Sequence, residues 1–254
     1  MTRWILLRGL TREARHWGDL PASLGARLGG DPVLALDLPG NGSRCLETSP
    51  LSITRMTASA RASLGAATES PPHVLVGMSL GAMVAVAWAS ARPDEVGGVV
   101  LLNSSSRGLS PWYRRLRWQQ LPTMLRIATT PDLYLRESRV LRLTTRHPPQ
   151  PEASLIASWV AWRREHPVST ANAIRQLIAA ARFRGPDTLA PVPVLVLASQ
   201  RDALVDPACS LALASAWRAE LRIHPTAGHD LALDDSAWVS EQIAEWWRGI
   251  RPQA

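Results

Sequence analysis

Short apolar runs rich in Val, Leu and Ile alternate along the chain with longer stretches whose apolar positions recur at helical spacing. The runs fall at residues 4–7, 33–36, 73–76, 99–102, 194–197 and 221–224. Runs this short and this rich in branched aliphatic residues read as strands. Their alternation with helical segments predicts a mostly parallel α/β sheet with helices on either side. Helices are expected over residues 17–28, stopped by Gly29-Gly30, over 53–66, and over 79–91, closed by Pro93. A last helix is expected over 236–247, with Asp234 or Asp235 as cap and Trp238, Ile243 and Trp246 near one face.

The alternation fails between Arg107 and about Thr188, where apolar positions keep helical spacing among many Arg and Trp residues and no strand is evident. Pro122, Pro131, Pro148, Pro149, Pro151 and Pro167 cut this stretch into short helices, because proline sits poorly inside one. It reads as a helical cap over residues 107–188, inserted into a core made of residues 1–106 and 189–254.

Candidate chemistry clusters at the ends of the apolar runs. Gly77-Met78-Ser79-Leu80-Gly81 separates the third run from a helix of small residues. A turn that tight strains its central residue, needs flanking glycines, and lifts the Ser79 hydroxyl clear of the sheet at the positive end of a helix. Arg8-Gly9-Leu10 follows the first run, with Trp17 beyond it, and Asp37-Leu38-Pro39-Gly40-Asn41-Gly42-Ser43 follows the second. Asp202 and Asp206 stand in the loop after the fifth run, and Ala227-Gly228-His229-Asp230 follows the sixth. Among the histidines, His229 alone has this loop setting ahead of the last helix.

In this order the motifs resemble those of the α/β-hydrolase family, and the likeness runs over nearly the whole chain. The resemblance implies Ser79 as nucleophile, His229 as base and Asp202 as orienting acid, with Asp206 its rival. It also implies an oxyanion hole built from the Leu10 and Leu80 amides, and a loop-organising role for Asp37. Arg8 stands where the family has His, Ser199 replaces a Gly, and one residue is inserted ahead of Pro207. The implied activity is hydrolysis of a carboxylic ester or thioester through an acyl-enzyme, with neither metal nor organic cofactor. The same machinery would serve an acyltransferase or a carbon–carbon bond hydrolase, and a hydrolase-fold ligand receptor without turnover is a third reading. Almost nothing precedes Trp4, so the family's N-terminal hairpin is missing; this leaves residues 33–36 at the sheet edge, open to a second copy, and a monomer or homodimer is expected.

The cap slot is where substrate choice is expected. Trp112, Tyr113, Trp118, Leu125, Trp159 and Trp162 are candidates to shape an apolar acyl pocket, with Trp17 and Met78 from the core as further substrate contacts; packing of the cap onto the core is the plainer role. Arg136, Arg139 and Arg142 fall at helical spacing and Arg163-Arg164 form a second cluster. In size, elbow and cap placement the chain resembles pimeloyl-acyl-carrier-protein methyl ester esterases, which implies docking of an acidic acyl-carrier protein on this Arg-rich segment. A solvated face is the alternative.

Composition narrows the classes further. A hydrophobic fraction of 46% with 19% charged residues excludes a disordered chain. The net charge of +7 is carried without a single Lys, and no nucleic-acid-binding signature accompanies it. Cys45 and Cys209 lie far apart with no ligand-spaced neighbours, so neither a disulfide framework nor a zinc site is indicated. No apolar run has the length of a membrane span and no signal-peptide pattern opens the chain, so a cytoplasmic location is expected.

Overall fold

The computed structural model describes residues 2–65, 72–189 and 191–250. Each apolar run is a strand: β1 Arg3–Leu7, β2 Val33–Leu36, β3 His73–Met78, β4 Val96–Leu102, β5 Val194–Ser199 and β6 Glu220–His224. They form one 6-stranded sheet in the order β2-β1-β3-β4-β5-β6, every neighbouring pair parallel. A parallel pair needs a crossover, and helices supply it. The order leaves β2 at one edge, as expected.

Side chains alternate across this sheet and so build two cores. Trp4, Leu6, Val74, Val76, Val100, Leu102, Leu195 and Leu197 face one layer, and Ile5, Leu7, Leu75, Val99, Leu101 and Val196 face the other. The helices of the first half are α1 Leu20–Arg27, α2 Ile53–Ala62 and α3 Leu80–Ala91. Between β4 and β5 lie α4 Trp112–Arg115, α5 Leu121–Thr129, α6 Leu133–Thr144, α7 Glu152–Glu165 and α8 Thr170–Arg182, with no strand among the described residues. The chain ends with α9 Pro207–Trp217, α10 Leu231–Asp234 and α11 Ser236–Ile250. Helices α1 and α11 cover the first face, and α2, α3 and α9 cover the second.

The prolines of the insertion act as boundaries. Pro122 occupies the first turn of α5, Pro131 precedes α6, Pro148, Pro149 and Pro151 separate α6 from α7, and Pro167 separates α7 from α8. Where the insertion leaves the sheet and returns, the Arg107 amide donates to Phe183 O at 2.9 Å and the Gly185 amide to Ser106 Oγ at 2.9 Å.

Some boundaries differ from the expected ones. The segment 17–28 is a 3-10 turn, Ala14–Trp17, broken at Gly18 (φ 56), and α1 starts only at Leu20. A positive φ at Gly18 halts the helical hydrogen-bond ladder before it can propagate. The helix expected over 53–66 is described to Ala62, and residue 66 lies outside the described residues. Helix α11 runs on to Ile250, and Asp235 is the residue that caps it, its Oδ1 accepting the Trp238 amide at 2.8 Å. Among the described residues, no helix is long and apolar enough to cross a membrane.

Candidate active site

Ser79 sits between the last residue of β3 and the first of α3, at φ 53 and ψ −113. A non-glycine residue held at positive φ is strained, and neighbours must over-determine it. Here the Ser79 amide donates to Leu102 O at 2.9 Å, and Ser104 Oγ donates to Ser79 O at 2.8 Å. The flanking glycines are forced by close approach of main chain: a Cβ on Gly77 would overlap the Ala82 backbone, and one on Gly81 would overlap the Leu7 carbonyl. The turn is thereby pressed onto the end of β1. The Leu80 amide opens α3 and has no carbonyl one turn earlier in its helix to receive it.

The Gly9-Leu10 loop lies directly against this turn, since a Cβ on Gly9 would stand 3.3 Å from Ser79 Cβ. The loop is fixed from the cap, where Gln176 Oε1 of α8 accepts the Thr11 amide at 2.9 Å.

His229 Nδ1 and Asp202 Oδ2 are 2.7 Å apart, and both side chains are buried. Asp202 Oδ1 accepts the amides of Leu204 (2.7 Å) and Val205 (2.9 Å), so the carboxylate is held on both oxygens. Asp206 instead caps α9, accepting the Ala208 amide at 2.9 Å, and so belongs to a different piece of structure. Burial pushes the His229 imidazole down, but the charge and hydrogen bond of Asp202, with the charge of Asp230, outweigh it and hold the group above its ordinary value. Among the described residues, Ser79 Oγ and the imidazole share no hydrogen bond.

Two residues that organise this site were not assigned that role from the sequence. Arg8 is buried: its Nη2 donates to Asp230 Oδ2 at 2.6 Å, its Nη1 to Asp230 Oδ1 at 3.1 Å and to Met78 Sδ at 3.2 Å, and its guanidinium lies 4.8 Å from the Trp17 ring centre. It therefore ties the neighbour of Ser79 to the neighbour of His229. The signal was present, because a buried guanidinium needs a carboxylate and Asp230 is adjacent to the site histidine. Asn103 (φ 45) closes β4, and its Nδ2 donates to His229 O at 2.8 Å and Ser199 Oγ at 2.9 Å while its Oδ1 accepts the Ser199 amide at 2.8 Å. No sequence pattern marked it.

Asp37 organises its own loop, accepting the Ala14 amide on Oδ1 and the Ser43 amide and hydroxyl on Oδ2. Trp17, Met78, Trp112, Trp118 and Trp159, candidates for substrate contact, divide by burial. Trp17, Met78 and Trp159 are buried packing residues; Trp17 carries the Arg8 guanidinium, and Trp159 carries that of Arg12, 4.2 Å from its ring centre. Trp112 and Trp118 turn outward, 68% and 56% exposed. The Arg-rich docking surface is likewise reduced, because Arg163 is drawn inside the cap by Glu137 (3.2 Å) and Arg136 donates to Thr130 O (2.9 Å). Among the described residues, no group of three or more His, Cys, Asp and Glu side chains could hold a metal ion. Both Cys45 and Cys209 are free.

Comparison with known proteins gives a consistent outcome. A family model described as "Alpha/beta hydrolase family" matches residues 4–242. Esterase Rv0045c of Mycobacterium tuberculosis is 30% identical over 107 residues, which is 42% of this chain and only 34% of that esterase. The enol-lactonase of Burkholderia xenovorans LB400 superposes with a TM-score of 0.74 at 18% identity, over 97% of this chain and 91% of that one. A thermophilic esterase from Thermogutta terrifontis gives a TM-score of 0.72 at 18% identity, over 99% and 91%. At such identities the superpositions speak for the fold alone.

Proposed function

The chain belongs to the alpha/beta hydrolase family, and on that premise we propose that it is a serine hydrolase cleaving a carboxylic ester or thioester, with Ser79 as nucleophile, His229 as general base and Asp202 as its orienting acid. The observation that carries this reading is the buried 2.7 Å contact between His229 Nδ1 and Asp202 Oδ2, in a loop tied through Arg8 to the residue before Ser79.

Asp202 accepts the hydrogen bond that Nδ1–H donates, which fixes this tautomer and leaves Nε2 with its lone pair free. As Ser79 Oγ attacks the carbonyl carbon, its proton passes to Nε2 and the carbonyl electrons move onto oxygen, where the Leu10 and Leu80 amides receive them. Collapse expels the alcohol or thiol, which takes the proton from Nε2 and leaves an acyl group on Ser79. Water then repeats the sequence and frees the acid. The Ser79–His229 hydrogen bond closes in the substrate complex, where such contacts tighten.

The test is covalent labelling with a fluorophosphonate probe, followed by turnover of p-nitrophenyl esters and acyl thioesters of graded chain length. Labelling at Ser79, and its loss with turnover in Ser79→Ala, is the expected result. A Ser79→Ala protein that keeps full turnover would end the proposal. Product analysis with an added alcohol separates hydrolysis from acyl transfer.

A further inference from the structure

At the border of the insertion and the core lie two adjoining, open surface clefts of about 350 and 460 Å³ that share Gln120, Arg146 and Ala203. Their walls bring together arginines from separate elements: Arg117 ahead of α5, Arg126 on α5, Arg139 and Arg142 on α6, Arg146 after α6, and Arg201 after β5. The one carboxylate in the lining, Asp202, is already engaged by His229 and by the Leu204 and Val205 amides.

Elsewhere in the chain some arginines meet carboxylates, as Arg8 does Asp230, Arg61 Glu95, and Arg222 Glu220 and Glu245, while others such as Arg27 and Arg55 stand singly on the surface. In this cleft, Arg117 comes no nearer than 3.7 Å to Asp206, and Arg146 Nε donates to the Arg201 carbonyl at 3.3 Å. Arg126, Arg142 and Arg201 are exposed along the cleft, and their side chains enter no hydrogen bond or ion pair with the described residues. Guanidinium groups gathered in a concavity repel one another and focus a positive field, which a multiply charged anion relieves. A monocarboxylate engages one guanidinium fork, whereas a phosphate or pyrophosphate offers oxygens to several forks at once. The volume suits a small molecule.

We propose that this cleft binds a phosphate- or pyrophosphate-bearing small molecule, seated among Arg126, Arg142, Arg146 and Arg201. Because the cleft shares the Asp202-Ala203 loop with the candidate active site, the phosphate is carried either by the substrate itself or by a separate ligand acting through that loop. Only this last distinction rests on the hydrolase reading; the binding does not.

The test is calorimetric titration of the full chain with inorganic pyrophosphate at fixed ionic strength. Saturable binding is expected, weakened by about tenfold or more in Arg126→Gln/Arg142→Gln, since loss of two charge-assisted contacts exceeds 1.4 kcal/mol. Arg27→Gln/Arg55→Gln removes the same charge from exposed positions outside the cleft and should bind as the parent does. Ser79→Ala should also bind unchanged, which separates failure of this site from failure of the catalytic assignment. Absence of saturable binding, or equal weakening by the two arginine pairs, overturns the proposal. With a neutral p-nitrophenyl ester as substrate, competitive inhibition by pyrophosphate assigns the cleft to the substrate, and a change in kcat at constant KM assigns it to a separate ligand.

Discussion

Arg8 and Asp230, 222 positions apart in sequence, form a buried ion pair at 2.6 Å that fastens the loop of His229 to the residue preceding Ser79. Removing one member strands the other charge away from water, at a cost of about 3–5 kcal/mol, whereas replacing both with apolar groups is often close to neutral. Arg8→Met and Asp230→Leu should therefore each lower stability in urea titration by that order, and the double variant should recover much of the loss. Strict additivity of the two changes would show that the pair is not coupled.

Asp202→Asn should fold and lose about 10⁴-fold in kcat, because an amide no longer fixes the imidazole tautomer that the reaction needs. Asp206→Asn keeps an oxygen for the α9 cap and should leave kcat near that of the parent. Steady-state rates on one p-nitrophenyl ester check both. If the effects were exchanged, Asp206 would be the acid.

The acid limb of kcat/KM should have its midpoint above the ordinary histidine value of about 6.5, since Asp202 and Asp230 hold His229 up against its burial. With His229 as the proposed base, turnover needs its neutral form, so the rate should fall as pH drops through that midpoint. Residual activity of Asp202→Asn should show the midpoint moved to lower pH. The raised value also makes protonated His229 favour the folded state. That contribution is complete below the unfolded value and is lost as pH rises through the folded one.

Glu137 is fully buried in the cap and accepts from Arg12 Nη1 at 2.8 Å and Arg163 Nε at 3.2 Å. Burial alone would raise its carboxyl, but the two guanidinium groups outweigh this and hold it below the usual range. Its stabilising contribution is present above the unfolded value and is lost as pH falls through the folded one. Glu137→Gln leaves two cations short of a counter-charge and should lower stability by about 3–5 kcal/mol at neutral pH. An unchanged Tm would refute this.

Gly81→Ala should abolish both soluble expression and activity, because the added methyl meets the Leu7 and Arg8 carbonyls, which are main chain and cannot step aside. Gly249→Ala, in open surroundings on α11, should instead add about 0.5–1 kcal/mol. Thermal melts of the two variants make the comparison.

Inner strands such as β3 and β5 were legible because burial on both faces leaves nearly unbroken apolar runs, whereas the edge strands β2 and β6 are partly exposed and β6 carries Arg222 in its middle; the serine turn was legible because close main-chain approach at Gly77 and Gly81 admits only glycine. Start sites were less legible: Gly18 halts a helix that apolar spacing alone would begin at Trp17. Asp202 and Asp206 share a loop, and they separate only once α9 claims the second as its cap. Partnerships across the chain, Arg8 with Asp230 and Asn103 with the His229 loop, leave no local periodicity to read. The cap aromatics show the same limit, since Trp159 inside and Trp112 outside carry the same apolar surface in a one-dimensional pattern.

The insertion departs from β4 and returns to β5, neighbours in the sheet, with Ser106 and Gly185 in direct contact across the gap. Bringing its ends together thus costs little more for a long segment than for a short one. A different module grafted at this junction would have to resupply what the insertion gives the platform beneath it, the acceptor that Gln176 offers the Thr11 amide and the counter-charge that Glu137 offers Arg12.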